Sequence, residues 1–326
     1  MTVDVLCLRP EADFVRAGAI LPAKLKIAYR APDDPDVSEL MKQARALVIP
    51  AVGPKLPQSL FERTTVKFVQ VTGAGVDRLD LSLMKRLGIV VANVPGGSNQ
   101  AVAEYVVTAA AVLLRRFAWA DAEIRAGRYR EFRSRMLADN LSGLDSLTVG
   151  VVGMGVIGFA VAHAFRKNGC KILYYDPAPR DPSAAEAVAA KSVSLEELLK
   201  STDVITLHVP LLDSTKGLIG ARELSLMKPG AILIQASRGG IVDEVALAEA
   251  LGSGRLGGAA IDVYSSEPPG ADNPLLALTG DAARRVLFTP HIAGVTRQAT
   301  AFLLRSAWRN VERVLITNEP PLDRVS

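Results

Sequence analysis

The run Gly153-Met154-Gly155-Val156-Ile157-Gly158 follows the apolar stretch Val149–Val152 and opens a helical pattern. Strand, tight glycine turn and helix, in that order, form a receptor for a dinucleotide pyrophosphate. Gly153 permits the turn, Gly155 lets a phosphate approach the backbone, and Gly158 lets the helix pack on the strand. The helix start, at Val156 and Ile157, then offers unpaired N–H groups and a positive dipole end. Asp176 closes the next apolar run, Lys171–Tyr175, about 20 residues on, where a carboxylate accepts hydrogen bonds from ribose hydroxyls and repels a 2′-phosphate. The pattern predicts NAD rather than NADP. Arg180, close by, is the residue type that would receive such a phosphate, and Asp176 before Pro177 also reads as a plain strand-end turn.

Three further residues stand at the ends of apolar runs. Arg238 lies in Ala236-Ser237-Arg238-Gly239-Gly240, Glu267 in Asp262-Val263-Tyr264-Ser265-Ser266-Glu267-Pro268, and His291 in Thr289-Pro290-His291. In an open parallel sheet, ligands bind outside the carboxyl ends of the strands, so these segments are expected near the glycine loop. Oxidising an alcohol beside a nicotinamide needs a base for the hydroxyl proton, and a histidine has a suitable intrinsic basicity. A carboxylate behind it would orient the ring, a role that fits Glu267. A guanidinium, here Arg238, can grip a carboxylate and polarise a carbonyl. Taken singly, each also reads as a structural strand end, a solvated turn or a helix start. His163 falls within the first helix after the glycines and reads as structural, and His208 reads as lining the cofactor pocket.

These residues need elements to hold them. Apolar runs at Val3–Leu8, Leu25–Tyr29, Ala46–Ile49, Val66–Val71 and Ile89–Val91 alternate with helical stretches Val37–Gln43 and Leu81–Leu87. Such alternation predicts a parallel sheet covered on both faces. Pro95-Gly96-Gly97 stops that series, and a mostly apolar helix is predicted from about Asn99 to Trp119, buried and set between two domains. A second alternating series supplies strands Thr148–Val152, Lys171–Tyr175, Val204–Leu207, Ala231–Ile234, Gly258–Ile261 and Val286–Phe288. Its helices are Val156–Lys167, Leu195–Leu199, Ala221–Met227 and Glu244–Leu251, and a last helix runs over Arg297–Leu315.

A chain of 326 residues exceeds one hydrophobic core, which predicts two domains, and 49% apolar residues set it apart from disordered proteins. The net charge of +4 is small. Arg125, Arg128, Arg130, Arg133 and Arg135 form a local basic stretch without interleaved aromatics or a recognition motif, so it reads as a solvated helix end or subunit contact rather than a nucleic-acid site. The two cysteines, Cys7 and Cys170, make neither a disulfide framework nor a metal site. The start is too polar for a signal peptide and no apolar run reaches membrane length, which predicts a cytoplasmic protein.

The motifs taken in order resemble the D-isomer-specific 2-hydroxyacid dehydrogenases over nearly the whole chain. They are Gly73-Ala74-Gly75-Val76-Asp77, Asn93-Val94-Pro95-Gly96 with Ala103-Glu104, the glycine loop, and His208-Val209-Pro210 with Thr215. After these come Ser237-Arg238-Gly239-Gly240 with Asp243, Asp262-Val263 with Glu267-Pro268, and Pro290-His291-Ile292. The resemblance implies an α/β fold of two doubly wound parallel-sheet domains. A Rossmann cofactor domain (100–295) would be inserted in a flavodoxin-like substrate domain (1–99 and 296–326). It implies Arg238, Glu267 and His291 as the catalytic set, acting on a small D-2-hydroxy acid and its 2-keto acid with NAD as cofactor. The cofactor would meet Gly153, Gly155, Val156, Ile157, Gly158, Asp176, His208, Val209, Pro210, Thr215, Ala236, Ser237, Arg238 and His291, with Asp262 on the nicotinamide carboxamide.

Substrate would meet Val52, Gly53, Ala74, Gly75 and Val76, besides Arg238 and His291, its carboxylate held by backbone N–H groups around Gly75 and Val76. The loop Ala51-Val52-Gly53-Pro54-Lys55 lacks the arginine expected for a phosphorylated substrate, and Lys55 is the candidate for a second anion. The stretch Asn273–Thr289 is longer than the family pattern and reads as a surface loop. A homodimer through the cofactor domains is implied, and no metal. Two other readings share these motifs: an NAD(H)-sensing scaffold resembling the C-terminal-binding corepressors, and a dehydrogenase of formate or phosphite.

Overall fold

The computed structural model describes residues 3–178 and 182–325, and Arg180 lies outside them. The chain forms two compact units, Met1–Ser98 with Val295–Ser326, and Asn99–Gly294.

The first unit begins β1 (Val5–Cys7), α1 (Glu11–Arg16), β2 (Ile27–Tyr29), α2 (Val37–Met41), β3 (Ala46–Ile49), β4 (Phe68–Val71), α3 (Leu81–Arg86) and β5 (Val90–Ala92). The strands form an all-parallel sheet in the order β2-β1-β3-β4-β5, the flavodoxin-like order. Its two faces follow from the two-residue period of a strand. Leu6, Leu47, Ile49, Val69, Val71 and Val91 join Met41 and Met84 in one core. Val5, Cys7, Ala46, Val48, Phe68 and Ala92 join Phe14 and Trp308 in the other.

The second unit starts with α4 (Asn99–Leu114), α5 (Phe117–Arg125) and α6 (Tyr129–Ala138). It continues β6 (Thr148–Val152), α7 (Val156–Lys167), β7 (Lys171–Tyr175), α8 (Pro182–Glu186), β8 (Ala190–Ser192), α9 (Leu195–Ser201) and β9 (Val204–Leu207). It ends α10 (Ala221–Leu226), β10 (Ile232–Gln235), α11 (Glu244–Gly252), β11 (Gly258–Ile261), α12 (Gly280–Arg284) and β12 (Val286–Phe288). The parallel sheet runs β12-β11-β10-β9-β6-β7-β8. That is the doubly wound dinucleotide-binding order with one added edge strand. One face packs Val149, Val151, Ile172 and Ile234 against α4 and α7, and the other packs Val152, Leu207, Leu233 and Ile261 against the α9–α11 layer. The chain then returns to the first unit through α13 (Arg297–Leu315).

Two expectations need correction. The helix expected to Trp119 ends at Leu114, because Arg116 takes a left-handed φ of 52° and α5 sets off in a new direction. The turn is held by tertiary contacts: the Arg116 guanidinium pairs with Asp139 and lies 5.3 Å from the Trp119 ring centre. The expected surface loop Asn273–Thr289 contains a helix, α12, tied down by Arg135–Asp281 (2.7 Å) and Arg284–Glu123 (2.9 Å). In the basic stretch, Arg125 pairs with Asp121, Arg128 with Glu123 and Arg135 with Asp281. Among the described residues no helix is long and apolar enough to cross a membrane.

Candidate active site

The glycine loop lies at the carboxyl end of β6. Gly153 has φ +93°, which a side chain rarely tolerates, and a Cβ there would sit 2.6 Å from the His208 carbonyl oxygen. A Cβ on Gly158 would fall 1.9 Å from the Gly153 oxygen, so the start of α7 is pressed onto the loop. At Gly155 a Cβ would meet nothing within 4 Å. That open cradle lies at the N-terminus of a 12-residue helix, beside Val156, which is 61% exposed. A pyrophosphate fits this geometry, with the first N–H groups of α7 as donors. Asp176 stands at the same loop: its carboxylate accepts from Met154 N and Ala178 N at 2.8 and 2.9 Å.

His208 follows β9. Its ring Nε2 lies 2.8 Å from the Thr206 hydroxyl, and burial pushes the imidazole down to about 3, so it is neutral near pH 7. Thr215 is buried and ties the segment Val209–Leu212: its hydroxyl donates to Pro210 O and accepts from Leu212 N. His163 is exposed on α7 and stacks on Phe159.

The structure brings His291 and Glu267 together. Nδ1 of His291 is 2.8 Å from Oε2 of Glu267, and the other carboxylate oxygen accepts from Tyr264 N at 3.1 Å. His291 has φ +54°, an unfavourable conformation for a side-chain-bearing residue, so the neighbouring contacts must hold it. Asp262 supplies them. Its buried carboxylate accepts from the Thr289 hydroxyl (2.6 Å), Ile292 N (2.8 Å) and Ala293 N (2.8 Å), while its carbonyl accepts from His291 N (2.8 Å). The Thr289 hydroxyl also meets the Tyr105 hydroxyl at 2.7 Å, and burial pushes that phenol up to about 12.

The Arg238 turn is shaped by Gln235, the last residue of β10. Its buried amide donates to Arg238 O and accepts from the Ser237 hydroxyl, both at 2.8 Å. Arg238 Nη1 donates to Ser237 O at 2.7 Å, and Ala236 packs on the core beneath. A Cβ on Gly239 would lie 1.7 Å from Tyr264 O, so the Arg238 turn runs directly against the loop that carries Glu267. Glu244 pins that loop through Ser265 N (2.6 Å), the Ser265 hydroxyl (2.9 Å) and Asn273 Nδ2 (2.7 Å). The reading of the sequence missed Gln235 and Glu244. The signal for Gln235 was a polar residue ending a fully buried apolar strand.

In the first unit, the turn Gly73–Val76 and the loop Ala51–Lys55 adjoin at the carboxyl ends of β4 and β3. A Cβ on Gly73 would be 2.7 Å from that of Ala51. Gly73 O accepts from Val94 N (2.9 Å) and Ala74 O from Asn93 Nδ2 (2.7 Å). Val52 is 45% exposed, and Gly75 and Val76 are half-buried. Both thiols are buried, with Cys7 pushed up to about 12 and Cys170 to about 11, which rules out a ready thiolate nucleophile at either. Among the described residues no group of His, Cys, Asp and Glu could hold a metal ion.

Residues 107–293 match the family described as D-isomer specific 2-hydroxyacid dehydrogenase, NAD binding domain. The chain belongs to the D-isomer specific 2-hydroxyacid dehydrogenase family. NAD is therefore its cofactor, and its relatives in the family are dehydrogenases. It is 33% identical to a glyoxylate reductase of Thermococcus litoralis over 90% of this chain and 92% of that protein. It is 41% identical to a D-3-phosphoglycerate dehydrogenase of Archaeoglobus fulgidus over 72% of this chain, but the match spans only 42% of that longer protein. A solved D-2-hydroxyisocaproate dehydrogenase has the same fold, with a TM-score of 0.80 at 28% identity over 98% of each chain.

Proposed function

We propose that this chain interconverts a small D-2-hydroxy acid and its 2-keto acid, with His291 as acid and base. The carrying observation is the 2.8 Å contact between His291 and Glu267, in the unit that also holds the glycine loop. Bound NAD supplies or accepts the hydride at C2. In reduction the protonated His291 ring gives its proton to the keto oxygen, and in oxidation the neutral ring takes the hydroxyl proton. Glu267 holds Nδ1, which fixes the ring and leaves Nε2 for the exchange. Arg238 grips the substrate carboxylate and polarises the carbonyl. Backbone N–H groups around Gly75 and Val76 are assigned to the same carboxylate, and the loop with Val52 and Gly53 to the substrate side chain. Asp176 reads the adenosine ribose. The protein is expected to be a homodimer, which light scattering on the purified chain would test, and cytoplasmic, which cell fractionation would test.

The experiment is NADH consumption against glyoxylate, hydroxypyruvate, pyruvate, 2-ketobutyrate and a phosphorylated keto acid, each repeated with NADPH. Turnover of any of these with NADH supports the proposal. Tight NADH binding with no turnover of the panel overturns it in favour of a sensing scaffold or of a substrate without a C2 hydroxyl.

A further inference from the structure

Arg78 follows the Gly73–Asp77 turn and is only 3% exposed. Its guanidinium does not meet an acid. Nε donates to Pro54 O at 2.9 Å and Nη1 to Pro50 O at 3.1 Å, and among the described residues no carboxylate pairs with it. Its own carbonyl accepts from Leu56 N at 2.9 Å. One residue thus clips Pro50 and Leu56, which flank Ala51–Lys55, and Pro54 within it. Gly53 at the loop centre has φ +129°, and a Cβ there would come within 3.2 Å of the Arg78 guanidinium carbon. The nearby Asp80 is engaged elsewhere, capping α3 through Leu83 N (2.9 Å) and accepting from Gln58 (3.0 Å).

A buried cation partnered only by carbonyl dipoles keeps its full charge, because arginine stays protonated even where burial pushes its pKa down, as it does here. The field of that charge is weakly screened inside the protein. The loop itself carries a single cation, exposed Lys55.

We infer that Arg78 is a positioning and specificity residue: it clamps the loop Ala51–Lys55 in one conformation and biases it toward keto acids whose side chain carries a second negative charge. The substrate half of this inference rests on the function proposed above. It supplies from a distant part of the sequence the arginine that the loop itself lacks. The guanidinium's fork matches two carbonyls at once, which a lysine cannot reproduce.

The test compares the full-length wild type with Arg78→Met and Arg78→Lys, on keto acids with an anionic and with an apolar side chain, at low and high salt. For Arg78→Met, KM for the anionic keto acid is expected to rise about ten- to hundredfold. kcat and the Kd for NADH should stay near wild type, and the preference over the apolar keto acid should narrow. Wild-type KM for the anionic substrate should rise with salt more steeply than that of Arg78→Met. Arg78→Lys should keep the salt dependence while KM rises. Unchanged KM and preference in folded Arg78→Met overturn the inference, and so does wild-type behaviour of Arg78→Lys should Arg78→Met fail to fold.

If the wild type turns over no keto acid, the proposed function fails separately. The clamp is then read by hydrogen exchange: the Leu56 amide should exchange faster in both variants, and unchanged exchange overturns it.

Discussion

His291 Nδ1 lies 2.8 Å from Glu267 Oε2, although 24 residues separate them, and both stand in turns beyond the carboxyl ends of neighbouring strands. The carboxylate is itself fixed by Tyr264 N, so the ring is held in one orientation. Such a pair orients the imidazole for exchange of one proton at its other nitrogen. Replacing His291 with Ala should cut turnover about two to four decades. NADH binding, followed by fluorescence titration, should change little. Wild-type turnover in this variant would remove His291 from the acid–base role.

Glu267→Gln keeps the shape of the contact and removes its charge. A neutral amide cannot offset the charge the ring carries once it has taken the hydroxyl proton, so kcat for oxidation should fall about ten- to a hundredfold. NADH binding should change little. Steady-state kinetics in both directions check it. A wild-type kcat would mean that this carboxylate does not assist the ring.

Strands buried on both faces were legible in the sequence, since Ala231–Ile234 is apolar without interruption and Val149–Val152 is broken only by Gly150. Strand β8 was not: Ala190-Lys191-Ser192 sits at the sheet edge and carries no apolar signature. Nor was the break at Arg116, where the local residues favour helix and contacts with Asp139 and Trp119 decide otherwise. The candidate residues Arg238, Glu267 and His291 were readable by type and order, and the structure brings Glu267 to His291. The support beneath them was not, because the donors to Asp262 come from Thr289, Ile292 and Ala293, far along the chain. Arg78 was invisible for the same reason, since its partners Pro50 and Pro54 precede it by a whole strand.

Asp176 accepts from Met154 N in the glycine loop, which places its charge beside the cradle at Gly155. Asp176→Ala should narrow the preference for NADH over NADPH by removing repulsion of the 2′-phosphate and a ribose acceptor. Paired Kd measurements with the two cofactors decide this. An unchanged ratio would mean that the ribose is read elsewhere.

His208 links stability to pH. Its folded imidazole titrates at about 3 rather than the ordinary 6.5, because burial disfavours the charged ring. The unfolded chain therefore takes up this proton first as pH falls. The stabilising contribution is complete above about 6.5 and is lost as pH falls from there toward about 3. Replacing His208 with Gln, which can still meet the Thr206 hydroxyl, should make urea stability fall less between neutral pH and about pH 5. Parallel slopes for the two proteins would show that His208 does not contribute to acid sensitivity.

Gly155, at the N-cap of α7, and Gly158, in its first turn, should respond differently. A Cβ at Gly155 meets open space, whereas one at Gly158 falls 1.9 Å from the Gly153 oxygen. Gly155→Ala should leave the thermal midpoint at the wild-type value. It should weaken NADH by about tenfold, since the new methyl occupies the space over which the pyrophosphate approaches. Gly158→Ala must push α7 off the loop, at a cost of about 1–3 kcal/mol or more, and should lower the midpoint even without cofactor. Calorimetry and NADH titration on the same samples separate the two effects. Wild-type NADH affinity in folded Gly155→Ala would show that the cofactor does not pass over this residue, and the cradle assigned here would have to lie elsewhere on the loop.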